Sequence, residues 1–116
     1  EPFLHSNLIE VIQLAKELCI EDIIITTNGS FITGQNISDL EAINIHNLCI
    51  QVSIDSVNQE KHDLFRSHKN AFKEAVRSLK KIGDSNIIAS LKATITPMTF
   101  NEIEDLVLLA VLGIKV

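Results

Sequence analysis

The chain has 116 residues, of which 46% are apolar, and ten basic against fifteen acidic side chains give a formal net charge of −5. This size and apolar content suit one modest domain with a packed core and exclude a disordered chain. The acidic balance disfavours general nucleic-acid binding, which needs a basic face for the phosphates. Apolar runs such as 106–112 are far shorter than the roughly 20 residues of a membrane-spanning helix, so we expect neither a nucleic-acid nor a membrane partner.

The two cysteines, Cys19 and Cys49, stand far apart in apolar surroundings. Their spacing matches neither a zinc motif nor an iron–sulfur motif, so we expect no metal site in this chain. Free cysteine is usually buried, and reduced thiols are typical of the cytoplasm. We therefore expect two buried, reduced thiols in a cytoplasmic protein, since 1–5 also lacks the pattern of a signal peptide.

The first half of the chain alternates between helical and strand-like apolar spacing. Apolar residues at helical intervals predict a first helix over Ser6–Cys19, and the β-branched run Ile23–Thr27 predicts a first strand. A short helix near Ser38–Ile45, with Ser38 as its cap, and a second strand over Ile50–Asp55 follow.

The second half continues the alternation. Helical segments are predicted over Gln59–Phe65 and Ala71–Ile82, and the third strand lies within Ile87–Thr96. Thr99 and Glu102 form a capping-box pattern that predicts a last helix.

The end of the chain is predicted to return to strand. Gly113 is expected to end the last helix, and Ile114 to begin a fourth strand. The resulting order, α-β-α-β-α-α-β-α-β, is a run of βα units and predicts an α/β fold with parallel strands and right-handed crossovers.

Two of the strands alternate strictly in polarity. Side chains alternate between the faces of a strand, so one face of the sheet is predicted to be apolar and the other polar. The polar faces carry Gln51, Ser53 and Asp55 in the second strand and Lys92, Thr94 and Thr96 in the third. A polar face in a parallel sheet favours the wall of a cavity, as in an open barrel, and the alternative is a face that is simply wet.

The carboxyl ends of parallel strands, where ligands bind in βα folds, are rich in polar side chains. The three ends read 26–29, 53–56 and 94–97, and they supply hydroxyls, amides and one carboxylate. This suits a ligand with many polar groups, such as a nucleoside or an amino acid. No nucleophile–base pair, glycine-rich phosphate loop or paired histidine is present, so no catalytic residue is predicted in this chain.

Four parts of the chain resemble, in order, the barrel of radical S-adenosylmethionine (SAM) enzymes. They are Glu1–His5 (the tail of the Gly-Gly-Glu-Pro motif), 25–30 (the end of the third strand), 52–56 with 62–66 (the fourth strand and the turn after it), and 94–96 with 101–104 (the fifth strand and its helix). The resemblance implies that residues 1–116 are a partial core domain of a (βα)6-type barrel, from the end of the Gly-Gly-Glu-Pro motif to the start of the sixth strand. The branch that it resembles contains the sulfatase-maturing enzymes and other peptide or cofactor maturases.

The resemblance also implies an activity for the parent protein. Such an oxidoreductase or maturase cleaves SAM with a [4Fe–4S] cluster to a 5′-deoxyadenosyl radical, which abstracts a hydrogen from a peptide, protein or small-molecule substrate. The three clustered cysteines that hold the cluster have no counterpart among the 116 residues. The chain is therefore expected to be either a fragment or a degraded homologue, and its start inside a motif favours the fragment. We expect it to supply part of the SAM-binding wall and to be inactive alone.

Site residues are implied by the same resemblance. Glu1 would accept hydrogen bonds from the amino group of SAM, and Arg66 would pair with its carboxylate. Asn28 would face the same rim, close to SAM or substrate. The alternative for Arg66 is a solvated cation at a helix end.

Four further residues complete the implied SAM site. Ser53 and Asp55 would lie near the ribose or carboxylate, and Thr94 and Thr96 would lie by the adenosine edge. The alternatives are that Asp55 caps the following turn and that Ser53 is a small packed residue. The histidines are interpreted as ordinary surface or half-buried side chains.

Two other hypotheses remain open at this point. One is a non-catalytic flavodoxin-like module that binds a ligand or protein, with 26–30 as a partial phosphate loop. The other concerns association: an incomplete barrel exposes strand edges, so the piece is expected to self-associate through Ile23–Thr27 or the segment at Ile114.

Overall fold

A three-stranded parallel sheet is the centre of the computed structural model, which describes residues 1–115 and the side chains of residues 1–113. The strands lie side by side in sequence order as β1 (Asp22–Thr27), β2 (Asn47–Ser53) and β3 (Ile88–Lys92). Both neighbouring pairs are parallel. The predicted α/β fold with parallel strands is therefore confirmed.

Helices precede, connect and follow the strands. The α-helices within residues 1–115 are α1 (Leu8–Glu17), α2 (Gly34–Ile43), α3 (Gln59–Arg66), α4 (Ala71–Gly83) and α5 (Ile103–Lys115). Short 3-10 turns occupy Pro2–Leu4 and Phe100–Glu102. Each crossover between parallel neighbours thus contains at least one helix, as a parallel connection requires. Within the described part of the chain, no helix has the length and apolarity needed to cross a lipid bilayer.

The helices cover one face of the sheet, where the core lies. On β2, Leu48, Ile50 and Val52 are buried, whereas the side chains between them are half-exposed. The predicted alternation is therefore confirmed on this strand. The covered face packs with Ala75 and Leu79 of α4 into one hydrophobic cluster.

The uncovered face of the sheet changes from apolar to polar towards the carboxyl ends of the strands. Its cross-strand tiers are Ile24–Cys49–Ile88, Thr26–Gln51–Ser90 and Ser53–Lys92. Ile24 is 67% exposed and Ile88 is 51% exposed. Large apolar side chains on a parallel sheet are normally covered, so this face has the character of a cavity wall rather than of a wet surface.

The carboxyl-terminal end differs from the sequence prediction. Helix α5 passes through Gly113 and continues to Lys115, so Ile114 is helical and begins no strand, while Val116 lies outside the described residues. A glycine inside a helix costs only about 1 kcal/mol relative to alanine, which packing readily offsets. A Cβ at position 113 would lie 2.9 Å from Leu79 Cδ2, so the glycine permits α5 to approach α4 closely.

Two helix caps also differ from prediction. Helix α2 begins earlier than expected because Thr33, not Ser38, caps it: Thr33 Oγ1 accepts from Asn36 N (3.1 Å), and Asn36 Oδ1 accepts from Thr33 N (2.9 Å). Thr99 makes no side-chain cap, and the Glu102 carboxylate bonds elsewhere. The sequence patterns were ambiguous because several capping side chains stand near each helix start.

The cysteines are free, but the prediction that both are buried is wrong. Cys19 is exposed and adopts a left-handed φ of 59° just after α1. Cys49 is half-buried on the uncovered face, where its Sγ lies 3.4 Å from Ser90 Oγ.

Replacing Gly29 tests the packing of the turn after β1. Gly29 has a φ of 85°, and a Cβ there would lie 2.9 Å from Ala75 Cα. Left-handed strain and the backbone clash lead us to expect that Gly29→Ala lowers the free energy of unfolding by about 2–4 kcal/mol in urea denaturation. The matched control is Gly34→Ala, because nothing lies within 4 Å of the added Cβ. An equal loss in both variants would contradict this account of the turn.

Candidate functional site

The amino-terminal segment lies against the carboxyl end of β1. Glu1 Oε1 accepts from Thr27 Oγ1 (2.6 Å), and Glu1 Oε2 accepts from Asn28 N (3.0 Å). Glu1 also accepts from Phe3 N (3.3 Å), which caps the first 3-10 turn. An ionised carboxylate has about four acceptor positions, so this exposed group retains capacity for a further donor at the rim.

The turn after β1 is fixed by its own side chains. Thr27 Oγ1 accepts from Gly29 N (3.1 Å), Asn28 Oδ1 accepts from Ser30 N (2.9 Å), and Gly29 O accepts from Ser78 Oγ on α4 (2.5 Å). The turn amides are thus occupied, and the Glu1 carboxylate stands beside them. A phosphate-cradling loop needs free amides and no adjacent anion, so this geometry disfavours the flavodoxin-like reading of 26–30.

Asp55 joins three parts of the carboxyl edge. Its Oδ2 lies 2.7 Å from Arg66 Nη2 at the end of α3, and its Oδ1 accepts from Thr94 N after β3 (2.9 Å). Its backbone N–H donates to Nδ1 of His62 (3.2 Å). Asp55 is 9% exposed, and both of its carboxylate oxygens bond to other groups of the protein. Asp55 therefore acts on other parts of the rim rather than as a simple turn cap.

Arg66 is held in place rather than solvated. Its side chain is 31% exposed, one end pairs with Asp55, and its Nε is buried without a hydrogen-bond partner among the described residues. A guanidinium carries five N–H donors, so the Nη2 contact with Asp55 leaves other donors on this partly exposed side chain. Arg66 borders an open cleft of about 320 Å³, which is also lined by Asn28, Ser30, Phe31, His68 and Ala71.

A second carboxylate fastens the loop after β2 to the start of α5. Glu102 Oε2 accepts from Ser56 Oγ (2.5 Å) and Val57 N (2.9 Å), and Oε1 pairs with Lys61 Nζ (2.6 Å). The hydrogen bond from Lys61, followed by that from Ser56, lowers the pKa of Glu102 to about 2. Since these contacts link the ends of β2 and β3, Glu102 holds the rim together.

Asp63 and Glu74 order the far side of the cleft. Asp63 accepts from the backbone N–H groups of Phe72 (2.9 Å) and Asn70 (2.8 Å), and the Phe72 bond is the main cause of its lowered pKa. Glu74 lies 3.1 Å from His68 Nε2, and its pKa is lowered chiefly by the Ser30 hydroxyl. The start of α4 is thereby fixed against α3 and the turn after β1.

The predicted site residues fall into connected groups. Contacts join Glu1 to Asn28 and join Asp55 to Arg66 and Thr94, while Asn28 and Arg66 share the cleft. The remaining two are less connected: Ser53 is half-exposed and stands opposite Lys92, and the backbone N–H of Thr96 donates to Thr99 Oγ1 (3.0 Å).

Sequence reasoning missed the role of His62. This side chain was predicted to be ordinary and surface or half-buried, but it is 1% exposed and bonds to Asp55. A usable signal was present: His62 and Arg66 are four residues apart and share one face of α3.

Comparison with known families fits this arrangement. The family model described as the radical SAM superfamily matches residues 1–110. This chain belongs to the radical SAM superfamily. The recognition based on the four sequence segments is confirmed, and so is the interpretation of the three parallel strands as part of that family's barrel.

Curated relatives of this radical SAM chain include several biosynthetic proteins. The subtilosin biosynthesis protein AlbA of Bacillus subtilis is 26% identical over 106 residues, which are 91% of this chain and 23% of AlbA. The sporulation killing factor maturation protein SkfB of the same organism is 32% identical over 96 residues, 79% of this chain and 23% of SkfB. An AdoMet-dependent heme synthase of Oleidesulfovibrio alaskensis is 28% identical over 96 residues, which are 83% of this chain and 24% of the synthase. The chain therefore spans about a quarter of these relatives.

The family implies SAM and a [4Fe–4S] cluster in the whole protein, and the residues fit the two differently. Among the described residues, no three or more metal-ligating side chains come together, so they do not fit a cluster. They do fit SAM, whose methionine half carries a carboxylate and an amino group. Arg66 lines the cleft with a partly exposed guanidinium, and the Glu1 carboxylate offers an acceptor at the same rim.

Acid unfolding tests the role of Glu102. Its folded pKa of about 2 lies below the ordinary value of 4.5, so its stabilisation is fully present above pH 4.5 and is lost as the pH falls towards 2. We expect Glu102→Gln to lower the free energy of unfolding at pH 7 by about 1–2 kcal/mol, to which the partly exposed Lys61 pair contributes little. The variant should also lose less unfolding free energy than the wild type as the pH falls from 4.5 towards 2. The matched control is Glu104→Gln, an exposed glutamate in the first turn of the adjoining helix α5. Identical acid profiles for wild type and Glu102→Gln would refute the role.

Proposed function

We propose that residues 1–116 form part of the SAM-binding wall of a larger radical SAM enzyme of the peptide- or cofactor-maturing type. The observation that carries this proposal is the state of Arg66: Asp55 fixes its guanidinium at the strand-end cleft, which the partly exposed side chain lines. A planar, permanently charged group held in this way suits a carboxylate ligand.

In this proposal the two ends of the methionine half of SAM meet opposite charges. Arg66 binds the carboxylate, and Glu1, fixed by Thr27 and Asn28, accepts from the amino group. The tier Ser53–Lys92 and the segment 94–96 line the side of the adenosine and ribose. When bound, SAM together with the cluster supplies hydrogen-abstraction chemistry, while the residues of this chain orient SAM.

The cluster ligands belong, in this proposal, to a part of the protein outside these 116 residues. Cys19 is exposed after α1 and Cys49 lies in the apolar tier of the uncovered face, so neither lies at the strand-end cleft. The chain alone would then be a partial barrel without catalytic activity. Its free thiols also support the proposed cytoplasmic location.

The names of the relatives support a biosynthetic oxidoreductase or maturase. Two are concerned with bacteriocin biosynthesis or killing-factor maturation, and a third is an AdoMet-dependent heme synthase. We therefore propose that the substrate of the whole protein is a peptide or a cofactor precursor.

Substitution of Arg66 tests SAM recognition. In the full-length protein, Arg66→Gln is expected to raise the Kd for SAM roughly 10- to 100-fold, because charged hydrogen bonds to the carboxylate are lost. Isothermal titration calorimetry measures this directly. The matched control is Arg77→Gln, an exposed arginine on α4. Equal affinities for wild type and Arg66→Gln would remove the main support for the proposal.

The family assignment of the whole protein has a separate test. The residues encoded immediately before Glu1 should be Gly-Gly, and three cysteines at Cys-x-x-x-Cys-x-x-Cys spacing should stand further upstream. Anaerobic reconstitution of the full-length protein should then give iron–sulfur absorption and release of 5′-deoxyadenosine from SAM. Absence of the three cysteines would overturn the proposed enzymatic function.

We also propose that the isolated 116-residue piece associates through the edge of β1. This strand lies at the edge of the sheet with Ile24 67% exposed, whereas the segment at Ile114 is helical and offers no strand edge. Unpaired edges favour pairing with another chain. Sedimentation velocity should show dimers or larger species as the concentration rises, and Ile24→Lys should reduce them. A strict monomer at high concentration would exclude this association.

A further inference from the structure

We propose that His62 is a positioning residue: its unprotonated Nδ1 holds the backbone of Asp55, and Asp55 in turn aims Arg66 at the ligand carboxylate. This inference rests on the proposed SAM site but concerns a side chain that does not itself border the cleft. His62 and Arg66 lie one helical turn apart on α3, so a single helix face grips Asp55 at its backbone and at its carboxylate.

The geometry around His62 leaves one role for its ring. The residue is 1% exposed, Nδ1 accepts from Asp55 N (3.2 Å), and the ring packs edge-on against Phe72, with centroids 6.0 Å apart. A backbone N–H can only donate, so Nδ1 must carry no proton. The working form is therefore the neutral imidazole with its proton on Nε2.

Protonation would disable this contact. The imidazolium has no acceptor, so Asp55 N would lose its partner, and the new charge would face the Arg66 cation. The charged groups around the ring are Arg66, which opposes protonation, and Asp55 and Asp63, which favour it. Burial, followed by Arg66, lowers the pKa of His62 below 6.5. The hydrogen bond from Asp55 N to His62 Nδ1 is thus intact at neutral pH and is lost as the pH falls through that lowered pKa.

SAM affinity of the full-length protein, measured from pH 7.5 to pH 5, tests the inference. The wild type should lose roughly tenfold in affinity over this range. His62→Asn places an amide oxygen near the position of Nδ1 and does not titrate, so it should bind SAM within about threefold of wild type at pH 7.5 and lose the His62-dependent fall. His62→Phe keeps the packing but has no acceptor, so it should bind roughly tenfold more weakly at all pH values.

A readout independent of binding uses protein labelled with 15N-histidine. The His62 signals should report an unprotonated Nδ1 and a protonated Nε2 at neutral pH, with a titration midpoint below 6.5. A protonated Nδ1 at neutral pH would overturn the inference, and this measurement decides the matter even where His62→Phe does not fold.

The outcomes separate this inference from the proposed function. If the wild type binds SAM and His62→Asn shows the same pH dependence, His62 is merely structural and the inference fails while the SAM site stands. If the wild type does not bind SAM at any pH, the proposed function fails and the inference falls with it.

Discussion

The rim of the sheet depends on one buried carboxylate. Asp55 follows β2 and bonds to α3 through Arg66 and to the chain after β3 through Thr94, while its backbone N–H donates to His62. Removing one partner of a buried ion pair leaves an uncompensated charge and is strongly destabilising. Asp55 therefore couples the position of α3 to the positions of the strand ends. The same contacts fix where Arg66 can bind a ligand.

The sheet that carries this rim has two unlike faces. Helices cover the apolar face, where Val52 and its neighbours form the core. The side chains of β2 on the other face are half-exposed. Its apolar tier lies at the amino ends of the strands and its polar tiers at the carboxyl ends. In a βα barrel the interior is likewise packed with side chains, and the ligand site lies at the carboxyl ends of the strands. The Glu102 network closes the rim by joining the loop after β2 to α5.

The sequence was sufficient to predict the parallel sheet and the alternation along β2 because these follow from period-two alternation and βα order. The predicted polar faces were too long, since Asp55, Thr94 and Thr96 lie beyond the ends of β2 and β3. Sequence reasoning failed at the end of the chain, where Gly113 suggested a stop but α5 continues through it, and the missing Cβ leaves room for Leu79 of α4. It also failed at Glu102, whose capping pattern was overridden by contacts to residues about 45 positions away. Such long-range partners depend on the folded arrangement and leave little trace in local spacing.

Arg66 is proposed to bind the carboxylate of SAM through guanidinium N–H groups that its contact with Asp55 does not use. The most direct measurement is a crystal structure of the full-length protein with SAM bound. The guanidinium of Arg66 should donate to the SAM carboxylate while Nη2 keeps its contact with Asp55. SAM bound elsewhere, or bound at this edge without a contact between its carboxylate and Arg66, would contradict the proposed site.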